Sequence, residues 1–291
     1  MHPRDFEQIS HPALAAGDAA GGVRVRWLGV AGYELEHAGT TVLIDPYLTR
    51  VGLGRVAFGR VATDTAAVDR EIARADAVLV GHSHFDHVMD VPYIARKTGA
   101  VVYGSHSTAH LLHASGLPAT QFRALDHARP TTFEVGPFTI RAVPSLHSPF
   151  GLGRKVPYAG DIPDGCEFPT RVKHFRCGDV FAWDIEVAGK RVFHLGSANL
   201  VDDLIDARDV DALLLCIAVR YPTPDFVPRA LRATTPRLVV PMHYDWFFRP
   251  LDAELRLLPR TRFGRFVDEV GAFSREPAVK TLPLRGEMRL G

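Results

Sequence analysis

The chain has few cysteines, no long apolar run and almost no net charge. Only three of its 291 residues are cysteine, too few for a scaffold built on disulfides. No segment approaches the roughly 18 uninterrupted apolar residues of a transmembrane helix, so no membrane span is expected. A formal net charge of +1 gives no electrostatic reason to expect a nucleic acid or an anionic membrane as a partner. Because the first residues contain no apolar segment typical of a secretory signal, we expect a cytoplasmic location.

The cysteines do not define a metal site by their spacing. Cys216 lies in the apolar segment ALLLCIA and is expected to be a buried core thiol. Cys166 and Cys177 flank His174, an arrangement that suggests a metal knuckle but matches no common zinc pattern. The role of Cys166, His174 and Cys177 therefore stays open.

Short apolar segments alternate with helical ones along most of the chain. Strands are predicted over residues 23–30, 32–39, 40–46, 75–82, 100–105, 138–145, 181–189, 190–197, 210–218 and 237–245. Helices are predicted over residues 66–75, 90–99, 107–116, 202–209, 225–234 and 251–258, the second of them capped by Asp90 and ended by Gly99. No polar linker interrupts the pattern, which favours one α/β domain over residues 23–291, after a loosely ordered arm over residues 1–22.

One long segment breaks this alternation. Residues 148–178 are rich in Gly, Pro and charged residues and have no sustained periodicity. A loop of this length inside a compact domain usually forms a lid or a binding loop. We therefore expect this insertion to lie over or beside a functional site.

Histidine and aspartate are concentrated in the segment GHSHFDHVMD, residues 81–90, directly after a predicted strand. His82 and His84 are two residues apart, so at a strand end their side chains point to the same side. The chain then turns toward a helix, which brings Asp86 and His87 round to the same space. Several imidazoles together with a carboxylate suit Zn, Fe or Mn better than Ca or Mg. The segment therefore predicts a metal site.

Two further histidines complete the predicted site. His147 and His243 each follow an apolar strand. Their position at strand ends is the same as that of the cluster, so we interpret them as additional ligands.

With these motifs in place, the chain resembles the metallo-β-lactamase-fold superfamily. The segment VRWLGVAGYELEHAGTTVLIDPYL is similar to the opening hairpins and the first motif of that family, which places Asp45 at the motif's end. HSHFDH is similar to its signature motif, His147 to the third and His243 to the last. The resemblance is strongest to the branch of general metal-dependent hydrolases that includes sugar-phosphate lactonases and phospholipase-D-like members.

The resemblance implies a four-layer αββα sandwich of two mixed β-sheets flanked by helices. It also implies a first metal on His82, His84 and His147, and a second metal on Asp86, His87 and His243. Asp45 would orient a ligand histidine.

One position departs from the family pattern. The fourth motif normally ends in an aspartate that bridges both metals, and the corresponding segment KRVFHLGSANL has Ser197 there. Asp161, in the segment YAGD, is an alternative source of the missing carboxylate. Ser197, Tyr244, Asp245, Arg220 and Tyr221 are candidates to line the pocket.

The resemblance implies a hydrolase that uses one or two Zn²⁺ ions, with Mn²⁺ or Fe as alternatives, and Asp86 to orient the attacking water. An ester, lactone or phosphodiester bond of a small molecule is the expected target. Two alternatives stay open: an iron-dependent oxidoreductase on the same fold, and a degenerate member that binds a ligand without turnover. The substrate and the oligomeric state are not determined by the sequence.

Overall fold

Two seven-stranded mixed sheets form the centre of the computed structural model, which describes residues 22–151, 154–274 and 277–291. The first sheet has the order β14-β1-β2-β3-β4-β5-β6 and the second the order β13-β12-β11-β10-β9-β8-β7. The strands are β1 Val23–Gly29, β2 Gly32–His37, β3 Thr40–Ile44, β4 Ala77–Leu79, β5 Val101–Gly104, β6 Phe122–Ala124, β7 Thr131–Val135, β8 Phe138–Ser145, β9 Val180–Val187, β10 Lys190–Leu195, β11 Ala212–Cys216, β12 Leu238–Met242, β13 Ala278–Val279 and β14 Glu287–Leu290.

In each sheet one half is antiparallel and the other parallel. β1, β2, β3 and β14 pair antiparallel, and β3 to β6 pair parallel. The second sheet repeats this arrangement, with β7 to β10 antiparallel and β10 to β13 parallel. All five residues of β11 are buried, as expected of a parallel strand covered on both faces.

Helices cover the outer faces of both sheets. The α-helices are α1 Leu53–Phe58, α2 Thr65–Glu71, α3 Phe85–Val88, α4 Val91–Thr98, α5 His106–Ala114, α6 Phe226–Thr234 and α7 Phe263–Phe273. None of the helices in the described part of the chain has the length and apolar character that a membrane crossing requires.

Two apolar cores hold the layers together. One core contains side chains of both sheets, such as Trp27 and Trp183, and continues to Leu231 of α6 and Phe266 of α7. The other joins the outer face of the first sheet to helices α2, α4 and α5, for example through Ile94. The order helices, sheet, sheet, helices confirms the predicted four-layer sandwich and the metallo-β-lactamase fold class.

The ten predicted strands are present, and the helix predicted over residues 90–99 ends as expected. Gly99 adopts the left-handed conformation, with φ of +77°, directly after α4. Asp90 occupies the N-cap position of α4 as predicted, but its carboxylate makes no capping hydrogen bond to the helix. It instead accepts hydrogen bonds from the backbone N–H groups of Leu48 and Thr49, at 2.7 and 2.8 Å.

Two predicted helices are wrong. Residues 202–209 contain only one 3₁₀ turn, Asp202–Leu204, since Arg191 donates to the carbonyl of Asp206 and Asp209 has a φ of +55°. Residues 251–258 contain no helix, because their backbone pairs with the segment after β12 in the isolated bridge between Asp245 and Leu257.

The N-terminal arm predicted over residues 1–22 lies, apart from Gly22, outside the described residues. The prediction of one domain over residues 23–291 stays a prediction, which the pairing of β14 with β1 supports.

Candidate metal centre

The six predicted ligands lie at the carboxyl ends of strands, on one edge of the sandwich. The segment after β4 supplies four of them, and the turns after β8 and β12 supply one each. Parallel strands end at the same edge, so residues that are far apart in the sequence meet there. Among the described residues, the ligand atoms form two groups, each with its atoms within 4.8 Å of one another: His82, His84 and His147, and Asp86, His87 and His243.

The first group consists of three imidazoles around a common point. Nε2 of His82 lies 3.0 Å from Nδ1 of His84. The ring centroid of His147 lies 4.9 Å from that of His82 and 4.8 Å from that of His84. His82 and His84 are buried, and His147 is partly buried.

The second group combines a carboxylate with two imidazoles. Oδ2 of Asp86 lies 3.4 Å from Nε2 of His243 and 3.9 Å from Nε2 of His87. His243 follows β12 with a φ of +60°, and its backbone N–H donates to the carbonyl of Val30 at 2.8 Å. The two groups are neighbours, because the ring centroids of His82 and His87 are 3.8 Å apart.

Each imidazole has an inner ring nitrogen, which belongs to a ligand group, and an outer one. In three histidines the outer ring nitrogen lies next to a hydrogen-bond acceptor. Nε2 of His84 donates to the carbonyl of Pro157 at 2.8 Å, and Nδ1 of His147 donates to the carbonyl of Ser148 at 2.7 Å. Nδ1 of His87 lies 2.8 Å from Oδ2 of Asp45. A proton on the outer nitrogen leaves the inner nitrogen with a free lone pair, which is the state that binds a metal.

Asp45 lies next to the cluster. Two of its neighbours are glycines, and the absence of a side chain at these positions leaves room for its carboxylate. Its Oδ1 accepts the backbone N–H of Gly81 at 2.6 Å. A Cβ atom at Gly81 would lie 2.9 Å from Oδ2 of Asp45, and one at Gly196 would lie 3.0 Å from the same atom. These contacts fix a fully buried carboxylate against His87.

The electrostatics differ between the two groups. Burial lowers the pKa of His84 to about 4 and that of His147 to about 3, and it lowers the pKa of His82 well below its usual value. These imidazoles are therefore neutral at pH 7. Burial also opposes protonation of His87, but the charges of Asp45 and Asp86 outweigh it and raise its pKa.

The carboxylate of the second group stays ionised. Burial favours the protonated form of Asp86, but its interactions with His87 and His243 outweigh burial and lower its pKa below the usual range. Neutral imidazoles with oriented lone pairs, next to an ionised carboxylate, fit a divalent transition metal such as zinc, iron or manganese.

A cavity of about 500 Å³ opens above the cluster. The predicted ligands His84, Asp86, His87, His147 and His243 line it, together with Ser197. Ser197 is 5% exposed, and its Oγ accepts the backbone N–H of Ser148 at 3.1 Å. The long loop also contributes to the wall of the cavity, through Ser148, Phe150, Pro157, Tyr158 and Val172.

Two candidate lining residues next to His243 face away from this cavity. Tyr244 is buried against Trp27, with ring centroids 5.2 Å apart. Asp245 forms a buried ion pair with Arg50 at 2.6 Å. The left-handed backbone at His243 turns the following residues toward the interior, which the alternation of a regular strand does not predict.

Two further candidates lie at another surface. The guanidinium of Arg220 donates to Glu269 at 3.0 Å and lies 4.3 Å from the ring centroid of Tyr221. Both residues line a separate cavity beside α6 and α7. Contact of either with a substrate at the histidine cluster is therefore not supported.

Asp161, the alternative source of a bridging carboxylate, is absent from both ligand groups of the described residues. It is exposed, and its carboxylate accepts a hydrogen bond from Ser107 at 3.4 Å. Among the described residues, Asp86 is the one carboxylate in the two groups.

His194 has a position in the site that sequence reasoning did not assign. It is fully buried in β10, its Nε2 donates to the carbonyl of Ala31 at 2.8 Å, and its Cε1 would lie 3.0 Å from a Cβ at Gly196. The only signal in the sequence is the segment HLGS, in which a histidine and a glycine end an apolar strand.

Comparison with known proteins identifies a family for this chain. The family model described as "Beta-lactamase superfamily domain" matches residues 24–243. A UPF0173 metal-dependent hydrolase of Anaeromyxobacter sp. strain K is 28% identical over 238 residues, which cover 79% of this chain and 77% of that protein.

Solved structures share the fold. Igni18, described as a novel metallo hydrolase from Ignicoccus hospitalis, has a TM-score of 0.60 at 19% identity and covers 92% of this chain and 98% of its own. CmlA, a diiron beta-hydroxylase from Streptomyces venezuelae, has a TM-score of 0.60 at 16% identity and covers 94% of this chain and 55% of its own. Since the family model spans more than half of the sequence, the chain belongs to the beta-lactamase superfamily.

Proposed function

We propose that the protein is a metal-dependent hydrolase of a small-molecule ester, lactone or phosphodiester. The observation that carries this proposal is the pair of three-ligand groups, five of whose six residues line one cavity. The names of its relatives, among them a UPF0173 metal-dependent hydrolase, point to the same activity.

His82, His84 and His147 would hold one ion, and Asp86, His87 and His243 would hold a second. Zn²⁺ is the ion that we propose, since imidazole and carboxylate ligands suit it. Divalent ions in such sites lower the pKa of a coordinated water and polarise the bond that is attacked.

The chain's own residues orient the site and carry protons. Asp45 and the carbonyls of Pro157 and Ser148 fix the ring orientations of three histidines. Asp86 is the carboxylate that lines the cavity in the described part of the chain, and it would accept a hydrogen bond from the attacking water. Ser197 is neutral, so the two ions lack a shared carboxylate and should bind with unequal strength.

The test combines metal analysis with hydrolysis assays. Metal per chain is measured by mass spectrometry on protein purified without chelator, and activity is measured on ester, lactone and phosphodiester substrates before and after removal of metal. We expect bound zinc, hydrolysis that chelation abolishes, and recovery when Zn²⁺ is returned.

A matched pair of histidine variants completes the test. His82→Gln should lower the metal content, and it should lower the rate by at least about 100-fold, because it removes one of the three ligands of the first group. His106→Gln changes an exposed histidine on α5 and should alter neither. Bound iron with oxygen consumption would favour an oxidoreductase, and metal-free protein without hydrolysis would favour a non-catalytic member.

A further inference from the structure

The walls of the cavity above the histidine cluster are apolar. Apart from the predicted ligands, the lining consists mainly of aliphatic and aromatic side chains, with Ser148, Tyr158, Ser197 and Cys216 as its polar side chains. No lysine, arginine, asparagine, glutamine or glutamate is among the described residues that line it. A ligand in this space therefore meets few hydrogen-bond donors outside the metal site.

Aromatic rings form one continuous wall beside the second ligand group. The ring centroid of Phe247 lies 5.3 Å from that of His243 and 4.4 Å from that of Phe248. Phe85 continues this wall, with its ring centroid 6.4 Å from that of Phe247. The ring of Tyr47 packs against Phe85, with centroids 5.6 Å apart. The wall is held in place, so an apolar group of a ligand can lie on it without a rearrangement.

The rim of the cavity is also apolar and accessible. Phe150 is 56% exposed, Tyr158 is 44% exposed and Val219 is 36% exposed. Exposed apolar side chains grouped at one opening mark a place where an apolar ligand binds.

Three arginines in neighbouring segments are engaged elsewhere. Arg154 donates to the carbonyl of Pro222 at 2.5 Å, Arg50 forms a buried pair with Asp245, and Arg220 pairs with Glu269. Lys155 is exposed and pairs with Phe150 only through the backbone. A phosphodiester anion usually needs arginine or lysine partners for its remaining oxygens, and none of these four side chains lines the cavity.

We infer that the substrates are uncharged carboxylic esters, linear or cyclic, whose apolar acyl part lies on the Phe85–Phe247–Phe248 wall. This inference rests on the proposed function and narrows its three bond types to the carboxylic ester. In the reaction, the oxygen of water forms a bond to the carbonyl carbon, and the bond from that carbon to the alcohol oxygen breaks. One proton of the water passes to the alcohol oxygen. The alcohol of a linear ester then leaves, whereas that of a cyclic ester stays attached to the acid product, and the acid keeps the apolar chain.

The first experiment is a chain-length series of p-nitrophenyl esters, from acetyl to decanoyl, measured with metal-loaded protein beside bis(p-nitrophenyl) phosphate. Burial of one methylene group corresponds to a gain of about fourfold, so kcat/KM should rise by on the order of 100-fold from acetyl to hexanoyl. The phosphodiester should be the poorer substrate. A rate that does not depend on chain length, or a preference for the phosphodiester, would overturn the inference.

Variants at the rim test the apolar contact directly. Phe150→Ala should flatten the dependence on chain length, whereas Phe273→Ala changes an exposed phenylalanine on α7, at a different cavity, and should not. Val219→Arg places a cation at the rim, so it should lower kcat/KM for the hexanoyl ester and raise it for the phosphodiester. Lys155→Ala should leave both values unchanged, and a loss of phosphodiester turnover alone would show that this lysine serves as an anion partner.

A binding assay separates failure of this inference from failure of the proposed function. The metal-free protein is titrated with Nile red, an uncharged apolar dye, and the dye is displaced with methyl octanoate, methyl acetate or dimethyl phosphate. Displacement by the octanoate alone supports an apolar cavity even if no ester is hydrolysed. Equal displacement by all three compounds, or none by the octanoate, would overturn the inference whatever the activity.

Discussion

Replacement of Asp45 by asparagine should weaken the binding of one metal ion and leave the binding of the other unchanged. Asp45 is fully buried, with one carboxylate oxygen 2.8 Å from Nδ1 of His87 and the other 2.6 Å from the backbone nitrogen of Gly81. Asparagine has nearly the same volume, and its amide oxygen can still accept the hydrogen bond from Gly81. The variant therefore removes the negative charge behind His87 and keeps the shape of the turn.

The size of the effect follows from this contact. Loss of the group that orients a metal-ligating histidine typically costs about 10–100-fold in metal affinity, or about 1.4–2.7 kcal/mol. Only the Asp86, His87 and His243 group contains His87. The ion on His82, His84 and His147 should keep its affinity, so we expect one unchanged and one weakened dissociation constant.

The pH dependence gives this prediction a second readout. Burial opposes protonation of His87, but Asp45 and Asp86 raise its pKa, so a proton competes with the metal for this histidine. Without the charge of Asp45 this pKa falls and the competition decreases. The loss of affinity in Asp45→Asn should therefore be largest at alkaline pH, where the proton competes least in both proteins, and smaller at acidic pH.

Competition with a chromogenic chelator, at several pH values, measures both dissociation constants. Asp184→Asn is the matched control, because Asp184 is also buried but its carboxylate pairs with Arg191 at 2.7 Å. Equally weakened binding of both ions, or unchanged binding of both, would refute the role that we assign to Asp45.

Three further predictions concern other residues. Ser197→Asp adds a carboxylate to the cavity wall, so it should raise the metal content after dialysis toward two ions per chain, as measured by mass spectrometry. Ser197→Ala should change the metal content little. Two tightly bound ions in the wild type, unaffected by Ser197→Asp, would contradict this prediction. Cys166, which is partly exposed, should react with a thiol reagent before Cys216 at pH 8. Burial raises the pKa of Cys216 to about 12, so the thiolate fraction of Cys216 is about 10⁻⁴ at this pH. Peptide mapping that found Cys216 modified first would disprove this prediction. The metal-free protein should lose stability as the pH falls from 7 to 5, since His84 and His147 stay neutral when folded, with pKa values of about 4 and 3, but take up protons near pH 6.5 when unfolded. Each contributes a loss on the order of 2 kcal/mol at pH 5 in urea titrations, and stability that rose over this range would contradict the assignment.

The strands in the interior of both sheets could be predicted from the sequence, and those at the edges could not. The four strands that the patterns did not indicate, β6, β7, β13 and β14, are the edge strands. Interior parallel strands are buried on both faces and read as apolar runs, for example ALLLC in β11. An interior antiparallel strand such as β1 instead alternates between buried and partly exposed residues. An edge strand has one neighbour, so its pattern is weaker: in β7 each residue is partly or fully exposed.

The helices divide in a similar way. α4 ends at Gly99 because the left-handed turn that follows it favours glycine, a local requirement that the sequence expresses. The helix expected over residues 251–258 does not form, because Trp246 donates to the carbonyl of Arg256 and Leu258 donates to that of Tyr244. The segment after β12, with which residues 251–258 pair, comes close to them only in the folded chain.

The sequence by itself determined the donor groups of the candidate site. Two histidines two residues apart, with an aspartate and a third histidine in the next turn, indicate a metal site because their spacing and their donor atoms are local properties. The same reasoning placed His147 and His243 at strand ends, where the fold brings them to within a few ångströms of the cluster.

The tertiary structure alone decided what surrounds these ligands. Tyr244 and Asp245 turn inward because His243 adopts a φ of +60°, and Asp245 finds Arg50 nearly two hundred positions earlier in the chain. The carbonyl of Pro157, in the long loop, accepts a hydrogen bond from His84. Such partners are set by distances across two sheets and a loop, and no local pattern of residue types encodes those distances.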